Sequence, residues 1–174
     1  MKSSLSIEMM NLGKEQRTHI ETTARTAALI TAKLVQLMLD RDECDKEITR
    51  TRTISFKLYA LSIIFGSVWG GALILNSNLH LIGYPLFSVF VLMVLTFFGT
   101  ASIDALLMNK YVSLNQETLD CQIERAKLGL TGEVIEPFIA SMYEIGKAGG
   151  SHLNQIYDCY EHIVERIIKD SRAE

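Results

Sequence analysis

At 174 residues the chain has the length of a single domain, with 17 Lys/Arg against 20 Asp/Glu and a net charge of −3. The sum itself says little, but it splits into +2 over residues 1–57 and −5 over residues 104–174, and neither flank is basic enough to suggest nucleic acid as a partner. The odd count of three cysteines excludes a fully paired disulfide framework, and Cys44, Cys121 and Cys159 have no metal-ligand spacing; they read as reduced thiols.

Met1–Asn11 lacks the long apolar core of a signal peptide. Gly13 and the Ser-rich start predict a frayed or separate N-terminal piece. From Gln16 to Thr53 neither Pro nor Gly interrupts the chain. Ile20, Thr23, Ala27, Ile30, Leu34, Leu37, Cys44 and Ile48 recur at helical spacing, with Arg41 breaking the seam. This predicts a long amphipathic helix, able to continue into whatever follows. The charge cluster Arg41–Glu47 reads as a solvated face.

Two apolar runs follow, Leu58–Leu75 and Pro85–Leu107, and no Asp, Glu, Lys or Arg lies between Lys57 and Asp104. As helices they measure roughly 27 Å and 34 Å, against a hydrocarbon core of about 30 Å. Only Asn76–Tyr84 joins them, with Gly83 and Pro85 suiting a turn and then a helix start. The pair predicts a transmembrane hairpin. Arg50, Arg52 and Lys57 precede the first run, and Lys110, Arg125 and Lys127 follow the second, while the linker carries no Lys or Arg. The positive-inside rule then places both termini in the cytoplasm and the linker outside. Tyr59 and Tyr111 at the inner ends, and Trp69 and Tyr84 towards the outer ends, agree with an aromatic belt.

Small residues mark the first run. Ser62, Gly66 and Gly70 share one helical face, with Ser67 and Gly71 beside them. Such a ridge lets helices approach closely in lipid. It serves either an oligomer seam or packing against the chain's own second run. The second run carries Thr96, Gly99, Thr100 and Asp104 in a rough polar stripe. If Leu75 lies opposite Pro85, Lys57 falls beside Asp104, and the two are expected to pair and pin the hairpin. The alternatives are Asp104 lining a cation path with Thr96 and Thr100, or Asp104 lying idle at headgroup level.

Beyond the second run, Leu114–Leu128 is helical in pattern and Gly129–Gly132 breaks it. A short helix is expected around Glu136–Lys147, with Pro137 in its first turn. Ala148–Gly150 ends it, and Ser151 suits the N-cap of a last helix. That helix carries a wide apolar stripe of Leu153, Ile156, Tyr157, Tyr160, Ile163, Val164, Ile167 and Ile168. The stripe must be covered by the N-terminal helix, a second copy or a cytosolic protein partner. No cofactor or metal is expected. His19, His80 and His152 are scattered, and His162 beside Cys159 reads as a surface pair. No phosphate loop, Gly-x-Ser-x-Gly elbow or His-Glu-x-x-His occurs, so no enzyme is expected.

The reading is an all-α integral membrane protein in three parts: a cytosolic amphipathic helix (1–56), a transmembrane hairpin (57–109, spans about 58–75 and 85–107, outer loop 76–84) and a cytosolic helical region (110–174). Leu58–Leu75, Pro85–Leu107 and the short linker, between a long N-terminal helix and a helical tail, give a layout that resembles the SLATT-type two-span effectors of bacterial defence systems. The resemblance is one of architecture over the whole chain and carries over no individual residue. It implies a bacterial inner membrane and an oligomeric pore or membrane-permeabilising effector. The alternative is a non-conducting anchor that recruits a cytosolic partner through its flanking helices.

Overall fold

A computed structural model describes residues 9, 13–75, 80–128 and 132–170. Among the described residues the protein is entirely helical, with four helices and no strands: α1 (Lys14–Leu75), α2 (His80–Lys127), α3 (Gly132–Lys147) and α4 (Leu153–Asp170). α1 runs unbroken for 62 residues, roughly 93 Å, so the amphipathic segment and the first apolar run are one helix. α2 likewise joins the second apolar run to the Leu114–Lys127 segment. Both are long and apolar enough to cross a membrane, and no residue of the most apolar stretch of either is buried. The core helix of a soluble protein would be mostly buried.

Several boundaries differ from the sequence expectation. α2 begins at His80, five residues before Pro85, so Gly83 and Pro85 lie within the helix rather than in a turn ahead of it. Of the expected outer loop, residues 76–79 lie outside the described residues. So do 129–131 of the expected break, and 1–8 and 10–12 of the expected N-terminal piece. α3 starts one turn early, at Gly132, which puts Pro137 in its second turn. The ring of Pro137 is exposed, and without an N–H it makes no bond to the carbonyl four residues back. α4 starts at Leu153, and the carbonyl of His152, not that of Ser151, accepts the first helical bond from Ile156 N–H at 2.9 Å. Ser151 still contributes, since its Oγ accepts from Leu153 N–H at 3.5 Å.

By contacts the chain divides into two units, one of residues 1–41 with 114–174 and one of residues 42–113. The division falls inside both long helices. In the first unit Ile20, Ala24, Ala27 and Val35 of α1 meet Met142 of α3 and Cys159, Ile163, Val164 and Ile168 of α4. The alanines let α1 lie close, and the larger side chains interdigitate around them. The apolar stripe of α4 is therefore covered in large part by the chain's own N-terminal helix and by α3. A second cluster joins Leu34 and Leu37 to Cys121 of α2. Gly146 is closely approached: a Cβ there would strike Leu39 Cδ1 and lie 2.6 Å from His152 Cε1, so those side chains would have to shift to admit one.

All three cysteines are free and buried. Cys159 is fully enclosed, which corrects the expected surface pair with His162, whose ring instead packs on Phe138 at 5.4 Å. Burial pushes the Cys159 thiol up from near 9 to about 11, with the Thr31 hydroxyl acting weakly in the other direction. A thiol raised in the folded state stabilises the fold below its unfolded pKa and loses that contribution as pH climbs through the folded one. Stability of this unit is therefore expected to decline between about pH 9 and 11, as seen by circular dichroism, and Cys159→Ala is expected to flatten that decline.

Candidate functional site

The second unit is built on an antiparallel contact between α1 and α2, and some of the residues singled out in the apolar runs lie on it. Five pairings run along the seam: Arg52 with Asp104, Ser55 with Thr100, Tyr59 with Phe97, Gly66 with Phe90 and Trp69 with Phe87. Each step forward along α1 is matched by an almost equal step back along α2, as two straight helices require. At the same end Cys44 Sγ donates to the Leu107 carbonyl at 3.5 Å.

This register corrects the expected partner of Asp104. Arg52 Nε donates to Asp104 Oδ1 at 3.1 Å, and Lys57 is exposed about one helical turn further along. α2 starts earlier than expected, at His80, and the second helix lies about four residues away from the expected register against the first. Arg52 comes opposite Asp104, and Lys57 comes opposite Gly99.

The same shift sets the fate of the polar stripe. Thr100 Oγ1 accepts from Ser55 Oγ at 2.7 Å and donates to the Phe97 carbonyl at 2.8 Å, so it is spent inside the contact. In lipid such an interhelical bond contributes about 0.6 kcal/mol, enough to favour one register over others. Asp104 keeps 26 % of its side chain exposed beside Arg52. Thr96 is exposed and bonds only its own helix, donating to the Leu92 carbonyl at 2.7 Å. Arg52 and Ser55, which sequence reasoning does not single out for the site, share one face of α1 three residues apart. That spacing, matched against Thr100 and Asp104, is the signal that finds them.

The small-residue ridge divides. Gly66 serves the contact within the chain, since a Cβ there would come within 3.3 Å of the Phe90 ring. A methyl group placed on Gly70, Gly71 or Gly99 would meet nothing within 4 Å, so these three face open space. Ser62 and Ser67 donate to the carbonyls of Leu58 and Ile63 on their own helix at 2.8 and 2.7 Å. Together with Tyr59, Ile63 and Gly66 of α1, and Phe90, Val94 and Phe97 of α2, they line an open groove of about 460 Å³.

A second groove, of about 310 Å³, lies in the first unit between α1 and α4. It is lined by Arg25, Ala28 and Leu29 and by Leu153, Ile156, Tyr157 and Tyr160. Burial and the nearby Glu21 push the Tyr160 hydroxyl up, and Tyr157 is raised by its hydrogen bond to Glu161. Both phenols therefore stay neutral, and Arg25 supplies the charge in an otherwise apolar and aromatic wall. Among the described residues no group of three His, Cys, Asp or Glu side chains could hold a metal ion.

Comparison with protein-family models, with curated proteins and with solved structures finds no match to this chain.

Proposed function

We propose that the protein is an integral membrane protein with two spans, and that several copies assemble into a pore or permeabilising effector. The observation that carries the membrane reading is where the apolar surface lies. Of 22 large hydrophobic side chains exposed among the described residues, 17 fall between Ile54 and Val112. A water-soluble protein rarely leaves so much contiguous apolar surface bare. The charge asymmetry of the flanks supports cytoplasmic termini and an outer linker. The layout, similar to the two-span effectors of bacterial defence, supports the bacterial inner membrane and the effector role.

In this reading one hairpin is too narrow to enclose water, and the path is made between copies. Exposed hydroxyls at Thr96 and Ser102, which donate to their own helix, keep acceptor lone pairs for it. Asp104, at the cytoplasmic edge, offsets the charge of Arg52 at the mouth, and its removal would leave a bare guanidinium there that disfavours cations. The test is ion flux from full-length protein reconstituted in liposomes. Flux above protein-free vesicles is expected, with Asp104→Asn lowering the preference for K⁺ over Cl⁻. Vesicles that hold inserted, oligomeric protein and stay tight overturn the pore.

The anchor reading is favoured by the groove of the first unit. Leu29 and Leu153, 56 % and 74 % exposed, flank it and are far from the apolar runs. A cytosolic partner with an apolar or acidic segment would suit its apolar wall and Arg25.

A further inference from the structure

We infer that copies of this chain join head to tail in the membrane, the outer ridge of α2 on one copy seating in the groove between α1 and α2 of the next. The inference rests on the membrane reading above and names the seam of that oligomer.

The groove fixes the chemistry of its occupant. Its floor is Gly66 and Ser67, and its walls include Phe90 and Phe97. The Ser62 and Ser67 hydroxyls are already bonded to their own helix, so neither offers a free donor to a polar ligand. An apolar body belongs there. The groove is also continuous with an interface that exists within the chain, because Tyr59–Phe97 and Gly66–Phe90 are both part of the contact between α1 and α2.

The matching body is on the same chain. Phe90, Val94 and Phe97 turn one face of α2 towards the groove. At roughly 100° per residue, Leu92, Leu95, Ile103 and Leu106 fall on the opposite face. They are 65 %, 63 %, 50 % and 69 % exposed. Taking on the order of 100 Å² for each, Leu92 and Leu95, at the depth of the groove, offer roughly 200 Å², and Ile103 and Leu106 extend the contact along the facing helix beyond it to roughly 400 Å², about half of what one partner buries in a stable interface. The groove of the same copy supplies a second such contact on its other side.

Depth decides for a second copy over any other helix. In a ring whose axis is normal to the bilayer, each residue lies at one depth in every copy. A ridge can then fill a groove only if both occupy the same stretch of the helix. Leu92 and Leu95 lie between Phe90 and Phe97 in sequence, at the depth of the groove itself. A two-fold contact of groove on groove would set small floor against small floor and leave the space empty. Ridge into groove fills it and propagates from copy to copy, which is what closes a ring.

Cysteine cross-linking of the full-length chain in its membrane tests this. Ile63→Cys is placed in the groove and Leu92→Cys on the ridge, on sides of one copy that face apart. On oxidation the double variant is expected to give a ladder of dimer, trimer and larger species, and each single variant only the background of the unaltered chain. Adding Ser67→Trp, which fills the groove, is expected to reduce the laddered fraction at least fivefold, and Ser67→Ala to leave it. No ladder from a particle whose mass is still a multiple of the chain overturns the seam and leaves the oligomeric reading standing. Strong dimers from a single variant overturn it in favour of a two-fold contact. No ladder from a monomeric particle, with lipid tails filling the groove, overturns both.

Discussion

Ile163→Ala is expected to lower the stability of the first unit by about 2–5 kcal/mol, the range for truncating a fully enclosed aliphatic side chain. Ile163 has no exposed surface and sits among Cys159, Val164 and Ile168 of α4, with Ile20, Ala24 and Ala27 of α1 in the same cluster. Its loss leaves a cavity that alanines on the facing helix cannot fill. Ile163→Val, which removes one methyl group, is expected to cost only about 0.5–1.5 kcal/mol. Urea unfolding followed by helical circular dichroism of the solubilised protein would measure both. Equal losses for the two variants would mean that the site collapses freely. A loss below about 1 kcal/mol for alanine would mean that α4 is not anchored by this cluster.

The second large effect concerns Arg52 and Asp104. Arg52→Asp alone, or Asp104→Arg alone, sets two like charges facing each other across the contact where the structure has an ion pair. In water an exposed pair of this kind contributes about 0–1 kcal/mol. At the edge of a bilayer the cost of an unpaired charge rises towards the roughly 2.5–3.5 kcal/mol found at the centre of a span. Each single reversal is expected to destabilise the second unit by about 1–3 kcal/mol and to reduce the amount of protein recovered from membranes. The double reversal is expected to restore most of the loss. Thermal unfolding in detergent and membrane yield give the four corners of the cycle. A double variant no better than either single would show that the two charges do not act on each other. The same exchange at Lys57 is expected to change neither quantity, since Lys57 lies a turn away and is exposed.

Much of this architecture is legible in the sequence. The Gln16–Thr53 periodicity marks the first part of α1, and the apolar runs mark the segments that the structure leaves unburied. Helix ends are harder to read where Gly and Pro look like stops. Gly83 and Pro85 lie inside α2, with Pro85 its sixth residue and forgoing the bond to the Leu81 carbonyl, so neither residue marks the helix start here. With the boundary misplaced, the expected register is off by about a turn, and Lys57 rather than Arg52 is expected as the cation beside Asp104. The covering of the α4 stripe is hidden for a different reason. Periodicity shows that Ile163 and Val164 need burial, but it does not say which of three surfaces provides it. The alanines at 24 and 27, small enough to let a helix lie against them, are the local hint.

The pairings along the second unit act as a ruler. Arg52 with Asp104 and Ser55 with Thr100 set the alignment of α1 and α2 from the end farthest from their connection, and the rings of Trp69 and Phe87 hold it near the other end. The connection is then relieved of measuring. Closure entropy grows slowly with chain length, by about 0.6 kcal/mol per doubling. A longer connection between Leu75 and His80 is therefore expected to leave the alignment intact, whereas a single substitution at Arg52, Ser55, Thr100 or Asp104 removes one of its polar marks.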